Sequence, residues 1–240
     1  MSTDLTGHVA LITGAGRGIG RAMAEHLAGQ GMKVLLCARS ADELGEVAKV
    51  ITDAGGEAAI ALTDVLDFAD VQQAVDLALD RWDRLDLVVN NAGSLAAIGP
   101  LWQTDPREWQ QDLTVNVLGV YHGCRAAIPA MIAREGGRVV NLVGGGVHTP
   151  FPNASAYATS KTAVMRLTEN LQFELAEAGA PVHAFAMTPG LIRTRMTAQF
   201  VETERGRRWM HHTGSRLEEG LDVTPEAACT LVAALARGDF

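Results

Sequence analysis

The sequence has little cysteine: three residues in 240, Cys37, Cys124 and Cys229, far apart, in apolar contexts and with no CxxC pair. An odd number at such spacing excludes a disulfide framework and a zinc knuckle, and the three read as buried free thiols in a reducing cytoplasm. Long apolar runs are also missing. Nothing approaches the ~18 residues of a membrane span, and the start carries Asp4 with only a four-residue apolar run at 9–12, so no signal peptide is expected. Positive charge is in deficit, 20 Lys+Arg against 28 Asp+Glu for a net charge of −8. That excludes a surface built as a whole to neutralise nucleic-acid phosphates or anionic lipid, though not a local basic patch. Linkers, repeats of 20–50 residues and low-complexity tracts are absent too, so one domain over residues 1–240 is expected. With 48% of its residues apolar, a chain of this length has ample interior for a core.

What is present is an alternation. Short runs rich in Val, Ile and Leu at 9–13, 33–38, 58–63, 85–90, 138–142 and 182–188 read as strands buried on both faces. Helical patterns at 21–30, 41–54, 67–82, 107–133 and 154–178 lie between them. Six strands and five intervening helices predict an α/β fold, a doubly wound parallel sheet with helices on both faces. Two stretches depart from the alternation. The charge-rich segment 193–221 follows the sixth strand, where loops of such a sheet border the ligand crevice, and is a candidate lid or substrate loop. Residues 224–237 read as a final helix opened by a Thr224 cap with Pro225 in its first turn.

The first strand runs straight into Thr13-Gly14-Ala15-Gly16-Arg17-Gly18-Ile19-Gly20, and a helix follows. A glycine-rich turn at that place exposes backbone N–H groups and the positive end of the helix dipole, where a pyrophosphate sits without side-chain obstruction. The spacing is Gly14-x3-Gly18-x-Gly20. A G-x-G-x-x-G reading puts Ile19 at its third glycine, so that simpler motif fails while the strand, turn and helix context holds. Alone, such a turn also reads as an ordinary tight loop.

Three further signals follow in order. Asn90-Asn91-Ala92-Gly93 closes the fourth strand, Asn116 lies within a long helix, and Tyr157-Ala158-Thr159-Ser160-Lys161 falls on the helix after strand five. A separation of four places the Tyr157 phenol and the Lys161 ammonium on one helical face. A free phenol titrates near 10, so moving its proton near neutrality needs a cation that stabilises phenolate, and Lys161 is that cation. Together with the glycine turn these residues resemble the classical short-chain dehydrogenase/reductase family, whose pattern is TGxxxGxG, NNAG, a helical Asn and YxxxK. The resemblance runs from Leu5 to about Arg237.

The resemblance implies a single Rossmann-like domain, a nicotinamide dinucleotide, and hydride transfer between that cofactor and a carbonyl or alcohol substrate. Tyr157 becomes the acid/base, Lys161 its partner and a ligand of the nicotinamide ribose, and Asn116 the holder of a water that links the lysine to solvent. Cofactor contacts are implied for Gly14, Gly16, Arg17, Gly18, Ile19 and Gly20, and for Val65, Asn90, Ala92 and Gly93. Asp64, after strand three, resembles the adenine-contacting aspartate of the family, its other reading being a loop cap. Pro189, Gly190, Ile192 and Thr194 match the turn that cups the nicotinamide, which otherwise is a simple turn ending a strand. A carboxylate ending the second strand would mark NAD(H), but Cys37-Ala38-Arg39-Ser40 has none before Asp42. Arg39, with Arg17 approaching the same place, offers guanidinium donors suited to a 2′-phosphate, which favours NADP(H). NAD(H) is the alternative, with Arg39 a solvated loop charge.

One departure matters. The family's catalytic serine stands thirteen residues before the tyrosine, and that position is Gly144, within Val143-Gly144-Gly145-Gly146. Losing one donor to a developing oxyanion costs roughly 10²–10³ in rate without removing the hydride or proton donor. A glycine run also lets the backbone approach, so Gly144 and Gly145 are expected on the substrate side, an amide N–H replacing the hydroxyl. Ser155 and Thr149 do not match the serine's spacing. The missing serine also motivates a rival reading, a dinucleotide-binding sensor or scaffold with little turnover.

Other residues carry blander expectations. His211-His212 read as solvated lid residues and no metal site is expected. Arg205, Arg207 and Arg208 read as a mixed-charge surface, the alternative being a phosphate-bearing acyl carrier or coenzyme A. Trp102, Trp109, Met165 and Phe173 read as core or subunit contacts, and the resemblance implies a homo-dimer or homo-tetramer. The family's last strand and glycine-rich tail do not follow before Phe240, so either the chain is short or the sequence omits a tail. A 3-oxoacyl compound and a small ketone are equally open as substrates; no nucleic acid or membrane partner is expected.

Overall fold

The computed structural model describes residues 4–134 and 136–239. Strands β1 (Val9–Thr13), β2 (Lys33–Ala38), β3 (Glu57–Leu62), β4 (Leu87–Asn90), β5 (Gly137–Leu142) and β6 (Val182–Met187) pair in parallel in the order β3-β2-β1-β4-β5-β6. The crossovers are α1 (Gly18–Gly29), α2 (Ala41–Asp53), α3 (Phe68–Trp82), α4 (Pro106–Ala133) and α5 (Ser155–Glu177). After β6 come α6 (Arg195–Glu202), α7 (Glu204–Trp209), α8 (His211–Glu218) and α9 (Glu226–Arg237). No helix among the described residues is long and apolar enough to cross a membrane.

The doubly wound, Rossmann-like arrangement follows from two-sided burial. Every residue of β1 is buried, and strand alternation sends Ala10 and Ile12 to one face and Val9 and Leu11 to the other. The first face is covered by α1, α2 and α9 through Met23, Leu27, Val47 and Val232. The second is covered by α3, α4 and α5 through Val75, Val120 and Val164. Crossovers leave β1 for one edge and β4 for the other, which opens a crevice at the carboxyl ends of these two neighbours.

Boundaries differ from expectation where side chains cap or compete. Helix α1 starts at Gly18 and not at 21, because the glycine turn itself forms the first helical turn. Strand β4 begins at Leu87, since the Asp86 carboxylate accepts the Val9 N–H at 2.7 Å and binds Arg84 through both oxygens. Thr224 does not cap α9. Pro225 stands at the cap with a helical backbone, φ −68°, and no side-chain cap bond forms. The segment 193–221 is a run of three short helices. Thr194 opens the first of them with a capping box shared with Thr197.

The three cysteines are buried and free, as read from their spacing. Burial pushes the Cys37 and Cys124 thiols up to about 12. Trp109 is half-buried and donates from Nε1 to Ser155 Oγ at 3.1 Å, tying α4 to α5. Met165 packs against the core, whereas Trp102 and Phe173 are 83% and 78% exposed, so neither is a core residue. His211 and His212 are exposed at the start of α8.

Candidate active site

The crevice between β1 and β4 has a volume of about 560 Å³. Its floor is the glycine turn. Gly14 has φ +66° and Gly18 φ +57°, backbone that side chains disfavour. A Cβ on Gly20 would press on the Gly14 carbonyl and lie 2.5 Å from Asn91 Nδ2, so Gly20 lets helix and turn close on each other. Asn91 holds that turn: its Nδ2 donates to the Thr13 carbonyl at 2.8 Å and the Gly14 carbonyl at 3.1 Å, and its N–H donates to Thr13 Oγ1. The sequence shows it as the second Asn of NNAG without indicating this role.

Of the residues expected around the cofactor, Gly14, Gly16, Arg17, Gly18, Ile19, Arg39, Asp64, Val65, Ala92, Gly93, Tyr157, Lys161, Pro189 and Thr194 line this one crevice. Gly20 lies behind the turn. Ile192 is buried in the core beside α9 and Gly190 packs against Val223, so both shape the turn from outside the crevice. Asn90 departs furthest from expectation. Its side chain points under α4, where Nδ2 donates to Asn141 Oδ1 at 2.8 Å and Oδ1 lies against Gly123 without a hydrogen-bond partner. Strand alternation sends Asn90 away from the face Asn91 reaches. Asp64 serves both of its readings: it lines the crevice and its Oδ1 accepts the Leu66 N–H at 3.0 Å.

Tyr157 and Lys161 lie on the first turns of α5. Lys161 is buried and its Nζ donates to the Leu142 carbonyl at 2.8 Å, 5.7 Å from the centre of the Tyr157 ring. Asn116 on α4 is fully buried. Its Oδ1 accepts the Ser94 N–H at 2.8 Å and its Nδ2 donates to the Ser94 carbonyl and to Ser160 Oγ, both at 2.9 Å. Ser160 Oγ donates in turn to the Tyr157 carbonyl at 2.7 Å. The Asn116 amide is thus spent on fixing the wall of the crevice and the backbone of α5. Burial pushes the Tyr157 phenol up to about 12, with the Asp112 carboxylate adding to the rise. The lysine that was to lower it is itself pushed down to about 8 by burial. Desolvation therefore outweighs the attraction between the two protein groups.

Two further carboxylates were missed. Glu43, half-buried on α2, sits over Gly16 and binds Arg17 Nη1 at 2.9 Å, with Arg195 Nη1 at 3.9 Å. The Ser40-x-x-Glu43 cap pattern, in which Ser40 Oγ accepts the Glu43 N–H, marks the start of α2 but not the contact with Gly16. Asp112, fully buried on α4, accepts from Ser94 Oγ at 2.5 Å and from the Ala96 and Ala97 N–H groups at 2.8 and 2.9 Å. No local motif marks it.

The α6–α8 segment closes over the crevice mouth. Phe200, Met210 and Leu217 pack with Leu95, Ile98 and Ala154, and Tyr157 lies against this apolar group. Gln199 Nε2 donates to the Leu95 carbonyl, and Arg205 binds the Ile98 and Ala96 carbonyls together with Glu108. Arg207 donates to the Val201 and Glu202 carbonyls and Arg208 stacks on Trp209 at 4.7 Å. All three arginines are exposed and make contacts within the protein.

The chain is similar to known proteins. Residues 8–205 match the model of the short chain dehydrogenase family. The chain is 37% identical over 202 residues to 3beta-hydroxysteroid dehydrogenase 1 of Eggerthella lenta, covering 83% of this chain and 76% of that protein. It is similar to a short-chain dehydrogenase/reductase from Burkholderia phymatum solved with NAD, at TM-score 0.85 and 33% identity, covering 97% of this chain and 87% of the other. A metagenomic short-chain oxidoreductase solved with NADP matches at TM-score 0.79 and 30% identity, over 98% and 92% of the two chains.

Proposed function

The chain belongs to the short-chain dehydrogenase family, and from that premise we propose that it is an NADP(H)-linked reductase of an uncharged ketone, working as one domain over residues 1–240. The observation that carries the reading is the pair Tyr157 and Lys161 at the end of a crevice whose floor is a glycine turn. The groups present fit a dinucleotide. Side chains at Gly14 and Gly16 would collide with Ala92 and Glu43, so the turn offers bare backbone N–H groups and a helix N-terminus for a pyrophosphate. When bound, the cofactor supplies the hydride. Asp64 and Val65 flank the adenosine, Ala92 and Gly93 the inner wall, and Pro189 and Thr194 the nicotinamide end. Lys161 fixes the nicotinamide ribose, and Asn116 holds the Ser94 backbone and Ser160 in place beside it.

Tyr157 gives its phenolic proton to the carbonyl oxygen as the carbon is reduced. A phenol pushed up by burial to about 12 holds that proton through neutral pH, so it is present when a carbonyl binds. Leu95, Ile98, Met196 and Phe200 around the tyrosine support an apolar ketone. The engagement of Arg205, Arg207 and Arg208 weighs against a phosphate-bearing 3-oxoacyl carrier. The sensor or scaffold reading finds no support among proteins that are oxidoreductases by name.

Nucleotide choice rests on Arg39, which is exposed at the crevice, and on Arg17. Glu43 opposes them, because its carboxylate holds Arg17 in the place a 2′-phosphate would take. The deciding experiment is carbonyl-dependent oxidation of NADPH and NADH across ketones and 3-oxoacyl thioesters. Faster NADPH oxidation with an apolar ketone is expected. Arg39→Ala is expected to weaken NADPH about ten- to a hundredfold and leave NADH unchanged, as loss of a charged hydrogen bond would. Glu43→Gln is expected to strengthen NADPH by about a few-fold. Equal use of both nucleotides, unaltered in Arg39→Ala, refutes the 2′-phosphate assignment.

A second copy of the chain is the proposed partner of the outer faces of α4 and α5. Leu118, Tyr121 and Ile132 on α4 and Phe173 on α5 are apolar and exposed there. Sedimentation is expected to give a dimer or tetramer, and Phe173→Glu to weaken it. A monomer at micromolar concentration would remove this part of the reading.

A further inference from the structure

The glycine in place of the family serine does more than omit a hydroxyl. A Cβ built on Gly144 would lie 2.5 Å from Tyr157 Oη, 3.3 Å from Cζ and 3.5 Å from Cε1. The tip of the tyrosine rests on the bare glycine. The ring also meets Phe151 edge-on, with centroids 6.2 Å apart, and a Cβ on Gly145 would lie 3.5 Å from Phe151 Cε1. Gly146 has φ +92°, and a Cβ there would lie 2.5 Å from the Ala158 Cβ, so the third glycine lets the first turn of α5 close onto the strand end. The whole run is matched to the seat of one aromatic side chain.

We propose that Gly144 is a positioning residue: its missing Cβ is the seat of the Tyr157 hydroxyl, so that a side chain at 144, with or without a hydroxyl, lowers turnover. The neighbouring hydroxyls do not take over the serine's role. Ser155 Oγ accepts from Trp109, Ser94 Oγ donates to Asp112, and Thr149 is exposed. Tyr157 Oη has no hydrogen-bond partner among the described residues and is the group left to meet a carbonyl oxygen. To reach ordinary contact with a new Cβ, that oxygen must retreat by about 1 Å, and such a misplacement costs on the order of a hundredfold.

The inference rests on Tyr157 as proton donor, so its test separates the two. Gly144→Ala and Gly144→Ser are compared with the native protein for kcat on a reduced ketone, for NADPH dissociation constant, and for the tyrosine Cζ signals in carbon-13 NMR. Only two tyrosines, Tyr121 and Tyr157, contribute to that spectrum. Both variants are expected to lose ten- to a hundredfold in kcat, to bind NADPH as before, and to shift the Tyr157 signal while the Tyr121 signal stays. A Gly144→Ser protein faster than native overturns the proposal, since the missing group would then be the hydroxyl. A Gly144→Ala protein with native kcat or an unmoved Tyr157 signal overturns it as well. Loss of NADPH binding in Gly144→Ala would make the glycine a folding requirement, which also overturns it. Absence of ketone turnover in the native protein counts against the reductase reading, and the NMR comparison then decides on the seat alone.

Discussion

Tyr157→Phe is expected to lower ketone-dependent NADPH oxidation by about 10²- to 10⁴-fold, the range for removal of a positioned general acid, and to leave NADPH affinity unchanged. Phenylalanine keeps the ring, its edge contact with Phe151 and its place beside Lys161, and removes only the oxygen. A variant with most of its activity intact would show that another group delivers the proton. The pH profile of the native protein carries the same argument. Tyr157, pushed up to about 12, stays protonated through neutrality, so its own ionisation does not limit reduction there. Lys161, pushed down to about 8, is the group that titrates in range. Below that value it carries the charge that stabilises phenolate as the proton leaves, and above it the charge is lost. The reduction rate is therefore expected to be flat from about pH 6 to 7.5 and to fall above about 8. A rate that climbs through that interval would assign the limb to a different group.

How much of this was legible in the sequence depends on how local each cause is. Strands 9–13, buried throughout, and 33–38, buried over its four central residues, were read to the residue, because a sheet covered on both faces leaves apolar runs. Tyr157 and Lys161 were placed on one helical face by their spacing alone, and the glycine turn by its position between β1 and α1. Consequences of packing across the fold were not legible. Asn90 and Asn91 are adjacent and similar, yet β4 sends one beneath α4 and the other to the glycine turn. Nothing within the α2 sequence announces that Glu43 will lie over Gly16, since that contact joins two crossovers. The expected depression of the Tyr157 phenol failed for the same reason. Spacing gives the lysine but not the burial, and burial dominates both groups. The role of Gly144 belongs here too, because only the approach of Tyr157 turns a missing hydroxyl into a needed space.

Asp112→Ala is expected to destabilise the fold by about 3–5 kcal/mol, a large share of the stability of an ordinary domain. The carboxylate is fully buried and accepts from Ser94 Oγ and from the Ala96 and Ala97 N–H groups. Removing it leaves three donors without an acceptor, the Ala97 N–H buried and the Ser94 hydroxyl and Ala96 N–H half-buried, each costing up to about 1–3 kcal/mol. Asp112→Asn keeps one acceptor oxygen but turns an NH₂ group towards these donors, so it recovers only part of the loss. Urea unfolding checks both, with the midpoint lowered and the slope unchanged. A loss below about 1 kcal/mol in Asp112→Ala would mean that water replaces the carboxylate at little cost. The loop that Asp112 holds continues from Ala92 and Gly93 and includes Ser94 and Leu95, all of which line the crevice. Binding of NADPH is therefore expected to weaken in parallel with stability. The same carboxylate raises the Tyr157 phenol. In Asp112→Asn the phenol comes down from about 12, so one side chain couples the wall of the nucleotide crevice to the acidity of the proton donor.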